Sequence, residues 1–197
     1  DILGITAILV VCLFTLLLAC YWPKTSKILF TALFLRVTLI LLGNYVIKLP
    51  ESTGDARSFE GIAWNISQDG FVNTIYKFPG FESTSISWII ALFYSATDRS
   101  PIMAQSISLF FGISSVFLGL VIIRKIWDER SALKAGWIFA IYPSLILYSC
   151  LTLREAYVWF FLLVAIYGVV LWSENQNLKS IIIAVAGFIL ASFFHGP

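Results

Sequence analysis

At 197 residues, 59% of them hydrophobic and only 12% charged, with a mean hydropathy of +0.91, the chain lies well outside the roughly 45–50% apolar usage of soluble domains. Its formal charge of +2 is not gathered into a basic patch, which argues against nucleic-acid binding. Cys12, Cys20 and Cys150 are scattered through apolar runs without metal-ligand spacing, and read as small buried hydrophobes rather than a disulfide framework.

A membrane-spanning helix needs about 20 mostly apolar residues. Divided at its charge clusters, the chain offers six such runs, approximately 1–22, 28–48, 101–123, 131–150, 156–172 and 180–195. The predicted fold class is an all-α membrane protein, a polytopic helical bundle. The first run lacks a basic leader and a cleavage site, so an uncleaved anchor is expected. Next comes "PKTSK", with Lys24 and Lys27 and no acid, which the positive-inside rule assigns to the cytoplasm. Within the second run Arg36 stands in "TALFLRVTLI", where a cation costs about 2.5–3.5 kcal/mol on insertion scales and must face other helices or water.

Residues 49–100 interrupt the hydrophobic pattern. They carry Glu51, Asp55, Glu60, Asp69, Glu82 and Asp98 against Arg57, Lys77 and Arg99, as an external loop should. In "STGDARSFEGIAWNISQDG", Ser52 precedes Asp55 by three residues, resembling a capping box. Phe59, Ile62, Ala63 and Ile66 then follow at helical spacing, which predicts an amphipathic surface helix over about 55–69, with Trp64 at the headgroup level. Asn65-Ile66-Ser67 also fits a glycosylation acceptor, a match frequent by chance. "TSISWIIALFYSAT", 84–97, is apolar but only 14 residues long. At about 1.5 Å per residue it is too short to span, and an interfacial or re-entrant helix is expected.

Two readings attach to Asp55. It either caps its helix and favours the positive N-terminus, or, only seven residues beyond Lys48, serves as a base whose pKa burial and neighbouring charges can tune. Glu60 is five positions on, about 140° round the helix, and faces elsewhere.

After the run 101–123 comes "RKIWDERSALK", in which Arg124, Lys125, Arg130 and Lys134 outnumber Asp128 and Glu129, a second cytoplasmic loop. Two crossings separate the basic loops, so 49–100 is outside. Arg154 and Glu155 then open the run 156–172 on the outer side. Either the helix dipole welcomes Glu155 while Arg154 snorkels, or the pair forms a phosphate-binding Arg beside a carboxylate available to metal or substrate. His195, the only histidine, ends the last run in "FFHGP", as an interfacial polar tip or a ligand.

The order of these features resembles the multi-spanning glycosyltransferases of the GT-C class. The matching pieces are "GDARSFEGIAWNISQDG", "SWIIALFYSAT" and above all "IIRKIWDERSALKAGWIFAIYPSLILYSCLTLREA". The resemblance is to the bacterial branch related to protein mannosyltransferases and aminoarabinose transferases. It covers roughly residues 28–197 and rests on degenerate motifs. It implies transfer of a sugar from a polyprenyl-phosphate carrier at the outer face, in a bacterial plasma membrane with 49–100 periplasmic, by a chain that is the N-terminal portion of a longer protein.

Carried over, Asp55 matches the catalytic acid of the first outer loop. Arg154 and Glu155 match the substrate- or phosphate-binding position, with Lys77, Glu60 and His195 as further substrate-binding candidates. Glu155 and Asp55 are candidates for a divalent metal, Mg or Mn. Ala56 departs from the family pattern, in which a second acid often follows the first. Membrane lipid and other membrane subunits are the remaining expected partners. The competing expectations are a polysaccharide polymerase or ligase, separated by a diphosphate oligosaccharide donor, and a non-catalytic membrane subunit or transporter. The latter would show broken spans paired across two halves, and no such repeat is visible.

Overall fold

The computed structural model describes residues 1–82 and 84–195; the Gly196-Pro197 close of "FFHGP" lies outside them. Ten α-helices and no strand occur among the described residues: α1 Ile2–Tyr21, α2 Ser26–Tyr45, α3 Asp55–Ser67, α4 Phe71–Tyr76, α5 Ser85–Ala96, α6 Pro101–Ile126, α7 Glu129–Ile141, α8 Pro143–Cys150, α9 Glu155–Asn175 and α10 Leu178–His195. Five of them (α1, α2, α6, α9 and α10) are long and apolar enough to cross a membrane, and α7 with α8 supplies a sixth span if the bent pair is counted as one. The architecture is that of a multi-pass membrane protein.

Local chemistry sets several boundaries. Asp1 accepts from the Gly4 amide at 2.9 Å to cap α1, and Ser100 accepts from the Met103 amide at 3.1 Å to cap α6 ahead of Pro101. The Ser100 hydroxyl also donates to Asp1, at 2.7 and 2.8 Å to its two oxygens, so the two caps lock together. Asp128 caps α7 through the Ser131 amide at 2.6 Å. Each cap satisfies N–H groups that the first helical turn leaves without partners.

The run 131–150, expected as one span, is broken: α7 and α8 meet at Tyr142–Pro143 with a 57° bend. Pro143 has no N–H to offer the Phe139 carbonyl, and its ring disfavours helical geometry at Tyr142, which is extended at φ −64°, ψ 119°. The capping box expected at Ser52 does not form either. Residues 50–54 make a turn in which Glu51 has φ 64°, Ser52 donates to the Leu49 carbonyl at 2.6 Å, and α3 starts after Gly54 with no side-chain cap.

Helix α6 is central. Of its spanning window 56% is buried within the protein, against 28–33% for the other four long helices. A main apolar core joins Ile8, Leu29, Ala32 and Ile40 of α1 and α2 to Leu109, Ile113 and Val116 of α6 and Ala140 of α7. Helices α9 and α10 form a close hairpin: a Cβ on Gly168 would stand 2.4 Å from the Ala184 amide nitrogen, and one on Gly187 2.5 Å from that of Ala165. Small residues of this kind let spanning backbones approach.

A second apolar core lies at one end of the bundle, called here the loop end because residues 46–100 cover it. Ala56, Phe59 and Ala63 of α3 pack with Ile86, Ile90 and Tyr94 of α5, and the cluster extends to Leu151, Leu153, Ala156 and Tyr157 and to Phe194 of α10. The apolar face of α3 is thus turned to α5. Trp64, expected at the headgroup level, stacks edge-on with Tyr94, centroids 6.2 Å apart, and under the Arg99 guanidinium at 5.6 Å. At the opposite, basic end, Glu129 accepts from Lys24 at 2.5 Å and from the Trp22 indole at 3.2 Å, while Arg124 lies 4.7 Å over the Trp22 ring.

Candidate functional site

Arg36, near the middle of α2, is 1% exposed and has a full set of partners. Its Nε donates to Ser149 Oγ at 2.8 Å, Nη1 to the carbonyls of Ala32 at 3.1 Å and Ala140 at 3.0 Å, and Nη2 to that of Phe139 at 3.4 Å. The Phe139 carbonyl is the one that Pro143 leaves without an i+4 donor, and the Ala140 carbonyl belongs to the same last turn. The planar guanidinium meets acceptors on three helices at once, and it sits at the negative dipole end of α7. The charge in mid-span and the break in the span therefore explain each other.

Beside this junction is a cavity of about 320 Å³. Its walls come from α6 (Gly112, Ser115, Val116), the end of α7 (Phe139), α8 (Leu145, Tyr148, Ser149), the start of α9 (Ala156, Val158, Trp159) and the polar residues Arg36, Arg154, Glu155 and His195. Gly112 permits the arrangement, since a Cβ there would fall 2.4 Å from the Ser149 Cβ and force α6 and α8 apart. Trp159, 39% exposed, and Tyr148, 36% exposed, are the partly exposed aromatic residues of the wall.

The rim charges are loosely tied. Arg154 Nη1 donates to the His195 carbonyl at 2.9 Å, which fastens the start of α9 to the end of α10, and its Nε lies 3.9 Å from Glu155 Oε1, an ion pair without a short hydrogen bond. Glu155 Oε2 is buried and has no hydrogen-bond partner among the described residues. A carboxylate oxygen so placed retains most of its capacity to accept a donor from a ligand. Two guanidiniums, one half-committed carboxylate and mainly apolar walls suit an amphiphile with an anionic head.

Of the residues singled out from the sequence, Arg154, Glu155 and His195 come together in this cavity. Arg36, whose partner the sequence left open, joins them. Asp55 does not line the cavity; it is exposed at the first position of α3, next to Ala56, which is buried in the same apolar cluster as Ala156. Lys77 is exposed and pairs with Asp69.

Glu60 is not open to a ligand. Both its oxygens are held by Arg99, at 2.9 and 2.8 Å, and Oε1 also accepts from the Tyr94 hydroxyl at 3.0 Å. Burial and then the Glu60 carboxylate push the Tyr94 hydroxyl upward, while the same carboxylate raises Arg99, so the cluster is a neutral, structural ion pair. Among the described residues neither Asp55 nor Glu155 belongs to a group of three or more potential metal ligands. No group of three or more His, Cys, Asp or Glu side chains with the geometry to hold an ion occurs among the described residues, so the donor set does not fit a cation bound by protein ligands alone.

Gly112, Ser149 and the Pro143 break were missed as parts of the site. The local signal was present in "YPSLILYS", where a proline inside an apolar run marks freed carbonyls that need a donor. Comparison of the chain with protein-family models, curated proteins and solved structures finds no match.

Proposed function

We propose that the chain transfers a sugar from a polyprenyl-phosphate carrier to an acceptor hydroxyl, in the manner of the GT-C class, at the outer face of a bacterial plasma membrane. The observation that carries this reading is the cavity that joins Arg154 and Glu155 to apolar walls and to Arg36. A polyprenyl carrier stays in the bilayer, so its phosphate must meet the protein at the end of a span while its first prenyl units need an apolar slot.

In this reading Arg154 binds the carrier phosphate as a charge-assisted hydrogen-bond donor. The positive charge of Arg36, whose N–H groups are largely committed to the protein, favours the anion from deeper in the cleft. Glu155 Oε2 accepts from a sugar or acceptor hydroxyl. The acceptor oxygen forms a bond to the sugar carbon as the bond from that carbon to the phosphate oxygen breaks. The acceptor proton passes to a carboxylate, the role assigned to Asp55, and the polyprenyl phosphate leaves with the electron pair. General-base help of this kind contributes about 100-fold to 10,000-fold. For Asp55 to take this proton, the reacting hydroxyl must sit within hydrogen-bond reach of its carboxylate, directly or through one water, between the start of α3 and the cavity.

The test is transfer from polyprenyl-phosphate sugars by membranes containing the complete protein and its variants Arg154→Ala, Glu155→Gln and Asp55→Asn. Loss of transfer in Arg154→Ala and Asp55→Asn, with the variants still folded in the membrane, is the expected result. Near-normal turnover by Arg154→Ala overturns the phosphate assignment. Activity confined to diphosphate-linked oligosaccharides would replace the proposal with the polymerase or ligase reading.

A further inference from the structure

The cover of the loop end contains an apolar surface that the described chain leaves largely uncovered. In α4, Phe71, Val72, Ile75 and Tyr76 are 48%, 64%, 46% and 83% exposed, and Thr74 is the only buried residue. At about 100° per residue these four side chains fall within an arc of about 140°, while Asn73, Thr74 and Lys77 occupy the other side. The helix is amphipathic with its apolar face outward. Its one cation, Lys77, is paired with Asp69.

The level of this surface is fixed by its neighbours. Phe78, just beyond α4, stacks on Phe193 near the end of α10, centroids 5.8 Å apart, and edge-on against Trp88 at 5.0 Å; Phe81 also packs on Phe193 at 5.4 Å. The Trp88 indole donates to the Thr74 carbonyl at 2.8 Å, which ties α4 to α5 from its polar side. Helix α10 crosses the bilayer and turns Phe188 and Ile189 outward, 52% and 50% exposed, one to two turns below Phe193. The exposed apolar face of α4 therefore lies close to the level at which α10, itself apolar and exposed along Phe188 and Ile189, ends. Amphipathic helices at such a depth bury their apolar face about 5–10 Å into the headgroup and acyl boundary, where aromatic residues also collect.

We propose that segment 71–81 is a monotopic membrane anchor, with α4 lying in the plane of the leaflet and Phe71, Val72, Ile75 and Tyr76 in lipid. The occupant is the bilayer rather than a protein partner, because the patch is tied through Phe78 to the end of a membrane span and Lys77 beside it is paired with Asp69. The anchor fixes the depth of α5, and through Phe193 that of the α10 end, independently of any role of the cavity.

The test places an environment-sensitive fluorophore on single cysteines, Val72→Cys, Ile75→Cys, Asn73→Cys and Arg57→Cys, in a background with Cys12→Ala, Cys20→Ala and Cys150→Ala, in phosphatidylcholine vesicles. Probes at 72 and 75 are expected to be blue-shifted, quenched by spin-labelled lipids and several-fold less sensitive to aqueous iodide than those at 73 and 57. Equal iodide quenching at all four positions overturns the proposal. So does protection at 72 and 75 that vanishes on dilution of protein in lipid, which would assign the face to a second copy. Because the cysteine-free background can fail to fold, the unaltered protein is also labelled in vesicles with a membrane-soluble carbene reagent. Modification of 71–76 comparable to that of 182–189 supports the anchor, and modification no greater than that of 55–67 refutes it.

Discussion

Arg36→Lys is predicted to harm the protein more than Arg36→Met, although lysine keeps the charge. Methionine retains much of the apolar stem and removes a charge whose placement in a span costs about 2.5–3.5 kcal/mol. It also leaves the Phe139 and Ala140 carbonyls without their donor, at about 1–3 kcal/mol each. These terms nearly offset, for a net change between about 1.5 kcal/mol of stabilisation and about 3.5 kcal/mol of loss. Lysine keeps the insertion cost, and a single ammonium cannot reach acceptors on α2, α7 and α8 together. Allowing it one retained bond, it loses one carbonyl partner fewer than methionine but keeps the insertion cost, so it should fall below methionine by the difference, about 1 kcal/mol at mid-range. At about 2–4 °C per kcal/mol for a chain of this size, the gap in melting temperature is roughly 2–4 °C. Cys150 is a built-in reporter, since its thiol is buried and donates to the Arg36 carbonyl at 3.3 Å. Melting followed with a thiol-reactive dye, in a Cys12→Ala, Cys20→Ser background, reads the opening of this junction. A lysine variant that melts with or above the methionine variant would refute the claim that acceptor geometry, rather than charge, keeps arginine at this position.

Arg99→Ala leaves the Glu60 carboxylate buried with only the Tyr94 hydroxyl, and should cost about 2 kcal/mol, towards the low end for buried pairs because Arg99 is itself 44% exposed; a detergent-solubilised melt reads this, with Glu60→Gln expected to lose less. Gly168→Ala drives a Cβ into backbone atoms of α10, so a loss of about 1–3 kcal/mol is expected, seen as a lower melting temperature. At the basic end, hydrogen bonds from Ser131 hold Asp128 below the ordinary carboxylate range, and those from Lys24 and then Trp22 do the same for Glu129. Both folded values are depressed, so their stabilisation is present above about pH 4 and is lost as pH falls through the lower folded values; Trp22 fluorescence should change on acidification below pH 4 in the native chain and much less in Glu129→Gln.

The all-helical, multi-pass character was legible because apolar runs of spanning length leave little alternative, and α5 was legible as a short helix because 14 apolar residues cannot cross. What sequence could not supply was every feature decided by a distant partner. Arg36 was visible as an anomaly, yet three of its four acceptors lie more than 100 positions away, and two of these, the Phe139 and Ala140 carbonyls, are free only because Pro143 breaks a helix. Glu60 read as a free acid until Arg99 and Tyr94 closed on it. Helix α4 was missed because six residues between glycine and proline give too short a window for periodicity. The rim pair Arg154–Glu155 was found from its place before an apolar run, whereas the wall formed by Gly112 and Ser149 needed the packing of α6 on α8.

The cavity's role is tested most directly by photoaffinity labelling of the complete protein in membranes with a farnesyl phosphate that carries a diazirine on its prenyl chain. Saturable labelling is expected on the walls, at Val116, Tyr148 or Trp159, competed by polyprenyl phosphate but not by the neutral alcohol, and weakened by Arg154→Ala. Labelling spread over the lipid-facing sides of α1 and α10, or competed equally by the alcohol, would contradict it.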